Sequence, residues 1–311
     1  MRKVSVAVAI AVAGSLRITA GAQQALPTFK SAVEVVPISA VVHDRRGRMV
    51  TTLTAGDFEV RDKGERRSIL DFQVDRTSPL TLAVLVDTSG SMKVGAKLTF
   101  AREVLKFLAA DLQDGRDEVS LFTFDATLRE EQPFTVHPAS LDVALSRAEP
   151  FGITSLYDAI ADTARRLGTR PSPRRAILVL TDGLDTSSAL TAPEVSALAS
   201  SIDVPVYVVA TVPAIDYAIQ TDRLASGGAG PSTDLRDLAI WTGGDLRWVT
   251  GGVDAALQTR LIVSELRHQY LITIQPAGER EWRPIEVRVR DRRMTVRARS
   301  GYFSGRNNGS H

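Results

Sequence analysis

The sequence predicts an α/β fold: a doubly wound, mostly parallel sheet flanked by helices, with a small β-module built from the two ends of the chain. Three observations carry this expectation. Leu80 to Val86, Ala176 to Leu180 and Val204 to Val209 are continuous apolar runs, the pattern of strands buried on both faces. Between and after them lie residues at helical spacing, and strand–helix alternation of this length produces βαβ units. The two ends of the chain change to short alternating runs, the rhythm of strands with one buried face.

Taken in order, Val33 to Phe72 holds short strand-like runs broken at Asp44-Arg45-Arg46-Gly47 and Asp62-Lys63-Gly64, residues that favour turns. After the first buried strand, Phe100, Val104, Leu105, Leu108 and Leu112 recur every three or four residues and predict a helix. Asp117 to Phe124 supplies another strand, and Leu156, Ile160, Ala164 and Leu167 mark the next helix. Further helices are expected at about 192–201, 234–241 and 253–267, with a short strand at Asp245 to Val249. Tyr157 and Trp241 read as core residues of their helices. Near the end, Ile285, Val287 and Val289 face one way while Glu286, Arg288 and Arg290 face the other. Asp291 to Arg293 turns the chain, and Met294, Val296 and Ala298 repeat the pattern, so an antiparallel hairpin is expected. Its arginines 288, 290, 297 and 299 would form a basic stripe, read as a solvated outer face.

An isolated hairpin is only marginally stable. Residues 30–76 and 268–303 are therefore expected to pair into one β-module, with an α/β domain at 78–267 inserted between them. Ser226 to Ser232 is Gly-rich but lacks the spacing and following Lys of a phosphate-binding loop, and reads as a flexible surface connection. Residues 304–311 read as a disordered tail.

Residues 1–22 have the layout of a secretory leader: Arg2 and Lys3, an apolar run from Val4 to Gly14, and Ala20-Gly21-Ala22 at a cleavage point. The apolar run is about 11 residues, against roughly 20 needed to span a bilayer, so the mature chain is expected to carry no transmembrane span. The full chain has 38 basic and 36 acidic residues. Removal of the leader takes Arg2, Lys3 and Arg17 with it and leaves a near-neutral protein, so nucleic acid is not an expected partner. With no cysteine among 311 residues, disulfides, thiolate metal sites and lipidated cysteines are excluded. Export without disulfides suits a bacterial periplasm or exterior.

Asp87-Thr88-Ser89-Gly90-Ser91 begins where the first buried strand ends, and Thr181-Asp182-Gly183 ends a second one the same way. Both therefore lie at the carboxyl edge of the sheet, where open α/β folds bind ligands. Thr154 lies in the turn just before a helix, so three loops could bring Asp87, Ser89, Ser91, Thr154 and Asp182 together. Carboxylates and hydroxyls without imidazole or sulfur select a hard cation, Mg²⁺, Mn²⁺ or Ca²⁺. Two carboxylates balance a divalent charge and three hydroxyls donate weakly, so the ion would still attract a further anionic oxygen. Asp185 is close enough in sequence to Asp182 to stand beside the ion or simply to cap a loop.

This set, Asp87-x-Ser89-x-Ser91 followed by Thr154 and then Asp182 in Thr-Asp-Gly, resembles the metal-ion-dependent adhesion site of von Willebrand factor A domains, over residues 78–267. The resemblance implies that the serines and threonine bind the ion directly, that the aspartates do so directly or through water, and that a partner's Asp or Glu takes the remaining position. It also implies that ligation shifts the last helix of the domain. Asp57-Phe58-Glu59-Val60 and Arg299-Ser300-Gly301-Tyr302 resemble the flanks of bacterial exported proteins of the VWFA-related kind. The expected function is thus metal-dependent binding of a carboxylate-bearing protein, in adhesion or complex assembly, without enzymatic activity.

Two enzyme classes fit these residues less well. A metal-dependent phosphatase-like enzyme needs a second carboxylate two residues after the first, where Ser89 stands. A serine hydrolase needs glycines two residues either side of its nucleophile, and neither Ser89 nor Ser91 has them. His43, His137, His268 and His311 are scattered, suggesting neither a base nor a zinc cluster. A purely structural envelope protein is the remaining alternative, in which Ser89 and Asp182 merely cap helices.

Overall fold

A computed structural model of the chain describes residues 35–93, 97–146, 148, 152–183, 185–211, 231–276 and 281–304. The expected leader, residues 226–230 of the Gly-rich stretch and the tail beyond Ser304 lie outside them. Among the described residues no helix is long and apolar enough to cross a membrane.

At the centre is a six-stranded sheet formed by β5 (Thr81–Asp87), β6 (Glu118–Phe124), β7 (Leu128–Thr135), β8 (Arg175–Thr181), β9 (Val206–Thr211) and β10 (Asp245–Val249). Its order is β10-β9-β8-β5-β6-β7. All neighbours are parallel except β7, which runs antiparallel to β6 at the edge. The continuous apolar runs follow from helices on both faces. Leu82, Val84 and Val86 pack under α1 (Lys97–Asp111), α2 (Ser140–Leu145) and α6 (Gly252–Arg267). Ala83 and Leu85 pack under α3 (Leu156–Gly168), α4 (Ala192–Ser201) and α5 (Pro231–Trp241). Each of the Leu and Val side chains among them, fully buried, contributes roughly 1.5–3 kcal/mol. Tyr157 is buried as expected, but Trp241 is 36% exposed. It ends α5, where its backbone carbonyl, accepting from Ser300 N and Ser200 Oγ, is the group used in packing.

The remaining strands make two antiparallel sheets of four: β13-β1-β11-β4 and β14-β12-β2-β3. They comprise β1 (Val36–His43), β2 (Phe58–Asp62), β3 (Glu65–Arg67), β4 (Ile69–Val74), β11 (Tyr270–Ile274), β12 (Trp282–Val289), β13 (Thr295–Ala298) and β14 (Gly301–Phe303). Strands from both ends of the chain pair in each sheet. Lys63 and Gly64, at φ 51° and 83°, form the tight turn joining β2 to β3, a conformation that suits two-residue hairpins. Ile38, Val42 and Tyr270 of one sheet and Phe58, Val60, Ile285 and Tyr302 of the other close a single core, with the Phe58 and Tyr270 rings 5.1 Å apart.

The expected hairpin at 285–298 does not form. β12 pairs with β2 and β14, whereas β13 pairs with β1 in the opposite sheet. The turn at Asp291 carries the chain across the core, so the apolar faces of the two strands meet face to face rather than side by side. The basic stripe disappears for the same reason. Arg288 stays outside, bonded to Glu286, but Arg297 and Arg299 point into the α/β layer. Arg297 pairs with Glu265 of α6 and with Asp245 of β10, while Arg299 donates to the carbonyls of Ser200 and Pro37. Arg174, 1% exposed, pairs with Asp75 at 3.1 Å.

Candidate metal centre

β5 is central, with β6 on one side and β8 on the other, so chain direction diverges there and leaves a crevice at the carboxyl edge. Asp87, the last residue of β5, is fully buried. Its Oδ1 accepts Ser89 N at 2.8 Å and its Oδ2 accepts Thr181 Oγ1 at 2.7 Å. The first bond bends the chain into the short turn Gly90–Lys93. There Ser89 Oγ and Ser91 Oγ lie 2.9 Å apart. Thr181 Oγ1 also accepts Gly183 N at 3.0 Å, which fixes the backbone around Asp182. Gly183 has φ +93°, a conformation costly for any side chain, and a Cβ there would stand 3.4 Å from the Trp248 ring.

Thr154 arrives on a third loop, clamped from both sides. Gly90 N donates to Gly152 O at 2.9 Å, tying this loop to the one that carries the serines. Thr154 N donates to Thr186 Oγ1 at 2.9 Å, and Thr186 N and Ser187 N donate back to Thr154 O. Asp185 serves as a cap: its Oδ1 accepts Leu156 N at 2.8 Å, at the start of α3, and Ser188 Oγ at 2.6 Å. The structure therefore brings the Asp87, Ser89–Ser91, Thr154 and Asp182 loops to one edge through direct bonds.

The electrostatics are those of an anionic cradle. Burial pushes the Asp87 carboxyl above its ordinary value and the nearby charge of Asp182 adds to the rise, against the hydrogen bonds from Thr181 and Ser89. Asp182 Oδ1 is buried with no hydrogen-bond partner, while Oδ2 accepts the Lys97 ammonium at 2.8 Å. Lys97 thus satisfies one oxygen of this carboxylate and leaves the other without a donor. Among the described residues no three acidic, histidine or cysteine side chains converge, so a cation here would be held by two carboxylates and hydroxyls. Such a donor set fits a hard divalent ion.

Sequence reasoning did not find Lys97 or the Thr181 and Thr186 hydroxyls. Thr181 stands beside Asp182 at the end of a strand, a position from which a hydroxyl reaches across to the neighbouring strand end.

Residues 82–184 match the family described as von Willebrand factor type A domain, and the α/β layer that contains them has the fold of that family. Among solved structures, a von Willebrand factor type A protein from Catenulispora acidiphila is 14% identical, with a TM-score of 0.50 over 90% of this chain and 78% of that one. Proximal thread matrix protein 1 from the mussel byssus, in a form with a zinc-occupied MIDAS motif, is 13% identical with a TM-score of 0.51. That match covers 67% of this chain and 50% of the mussel protein, so the chain spans half its length. BatB from Bacteroides thetaiotaomicron is 19% identical, with a TM-score of 0.48 over 60% of this chain and 98% of that one. No curated protein matches the sequence. At these identities the likeness is one of fold.

Proposed function

We propose that this chain is an exported, metal-dependent binding protein that captures a carboxylate of a partner protein through a divalent cation. Asp87, Ser89, Ser91, Thr154 and Asp182 would hold Mg²⁺ or Mn²⁺, with Ca²⁺ as the other hard cation of suitable chemistry. The observation that carries the reading is the buried Asp87 carboxylate beside that of Asp182, whose side chain is 6% exposed and whose Oδ1 no donor satisfies, at the carboxyl edge of the sheet. When bound, the ion supplies an electrophilic point for an anionic oxygen. The chain's own contribution is to hold the hydroxyls and carboxylates at that edge before the ion arrives, by the Thr181, Thr186 and Gly152 bonds. The zinc-occupied MIDAS motif of the mussel protein is consistent with a metal role for a domain of this fold.

Binding rather than catalysis is the reading because the described histidines are engaged elsewhere: His43 with Glu265, His137 with Asp114, His268 with the Ser264 carbonyl. None supplies a base at the site. The leader-like start of the sequence and the lack of cysteine support the periplasm or the exterior as its place. Partner capture from envelope extract by wild type and Asp87→Ala, each in Mg²⁺ and in EDTA, tests the proposal. A partner retained only by wild type in Mg²⁺ supports it. Equal retention in all four arms would overturn it.

A further inference from the structure

The ammonium of Lys97 donates to Asp182 Oδ2 at 2.8 Å, with the Lys97 side chain 24% exposed and the Asp182 side chain 6% exposed. Lys97 lies on α1, across the crevice from Asp182. Because the pair is largely buried, solvent and salt screen it weakly.

Lys97 already cancels one of the two negative charges that the edge presents to an ion. Asp87 is committed to Thr181 and to Ser89 N. Asp182 keeps only Oδ1 without a donor. A divalent cation using Asp182 must share that carboxylate with a fixed positive charge bonded to its other oxygen, or displace it.

We propose that Lys97 is a built-in competitor of the cation, one that weakens divalent-ion binding and keeps the site readily reversible. The proposal rests on the reading of this edge as a divalent-cation site. It assigns Lys97 a role in setting ion affinity and no role in partner contact. In effect the site carries its own counter-ion, so the fold of the Asp182 loop does not depend on metal. Occupancy then follows the divalent-ion concentration around the protein instead of being permanent.

The test is titration of the full chain with Mn²⁺, by calorimetry and by the paramagnetic resonance of the free ion. The proteins are wild type, Lys97→Gln, Lys97→Met and a control, Lys63→Gln, which removes the same charge from an exposed turn paired with Glu281. Thermal unfolding in EDTA checks that each is folded. Lys97→Gln keeps a hydrogen-bond donor for Asp182 and guards against a variant that fails to fold. The expected result is Mn²⁺ binding about ten-fold tighter or more in both Lys97 variants, from loss of a unit charge beside the ion, with wild-type affinity in Lys63→Gln. Equal affinity in wild type and Lys97 variants would overturn it and leave the cation site standing. Weaker binding in the variants would overturn it too, making Lys97 an organiser of Asp182. No Mn²⁺ binding by any protein at millimolar ion would overturn the cation site and the proposal together.

Discussion

Glu265→Gln keeps the shape of the side chain and removes the one charge shared by Arg247, Arg297 and His43. The Glu265 side chain is 5% exposed, with Arg247 at 2.8 Å and His43 at 3.2 Å; Arg297 is bonded to its other oxygen. After the substitution Asp245 alone faces the two guanidiniums, at 3.1 Å from Arg247 and 2.9 Å from Arg297. Removing one partner of a buried ion pair costs roughly 3–5 kcal/mol, and the surviving Asp245 contacts place this case at the lower end, about 3 kcal/mol. At 2–4 °C per kcal/mol for a domain of this size, Tm should fall by roughly 6–12 °C. The pH dependence follows from the same contacts. Burial pushes the Glu265 carboxyl up, but His43, Arg297 and Arg247 outweigh it and hold the group below its ordinary value of 4.5. A depressed carboxyl stabilises the fold above that ordinary value, and the contribution is lost as the pH falls through the depressed one. Wild type and variant should therefore converge in stability in acid and diverge toward neutral pH. Thermal unfolding followed by fluorescence and by circular dichroism across pH 3–8 checks both points. A Tm change below about 2 °C at neutral pH would refute the reasoning that these ion pairs hold the β-sheets to the α/β layer.

Gly183→Ala places a Cβ 3.4 Å from the Trp248 ring at φ +93°; stability should fall by about 1–2 kcal/mol and Mn²⁺ binding should weaken with it, read by unfolding and calorimetry. Thr154→Ala should leave stability within about 1 kcal/mol, because Thr186 and Ser187 grip the backbone of Thr154, yet lower Mn²⁺ affinity in the same titration. Tyr302 donates to Asp62 at 3.0 Å, and burial with that carboxylate's charge holds its phenol up at about 12. Its contribution should be full below the ordinary value of 10.0 and lost as the pH rises through about 12. Alkaline unfolding should be shallower in Tyr302→Phe.

The sequence made the central layer legible because its strands are buried on both faces. Ala176 to Leu180 can be nothing but apolar when helices cover it above and below. The ends were harder to read. Alternation shows that Ile285 and Val296 each face a core, but not whether they lie in one sheet or oppose each other across it. The turn at Asp291 decides this, and the structure puts the two strands in different sheets. The arginines at 297 and 299 looked solvated on the same pattern, because nothing local reveals that Glu265 and Asp203 wait on another layer. At the candidate site, residue types and strand-end positions pointed to Asp87, Ser89, Ser91, Thr154 and Asp182. The clamp on Thr154 and the ammonium on Asp182 come from residues brought close only by folding, with Thr186 and Lys97 distant from their partners in sequence.

The most direct test of a cation held at this edge is a Mg²⁺ and Mn²⁺ titration of wild type against Asp87→Ala, with stability in EDTA measured alongside. The geometry predicts one EDTA-reversible ion per wild-type chain and none in Asp87→Ala. It also predicts that the metal-free variant is at least as stable as wild type, because the substitution removes a buried charge that burial and Asp182 both disfavour. Equal binding by the two proteins, or none by either at millimolar ion, would contradict the assignment of Asp87, Ser89, Ser91, Thr154 and Asp182 as a metal centre.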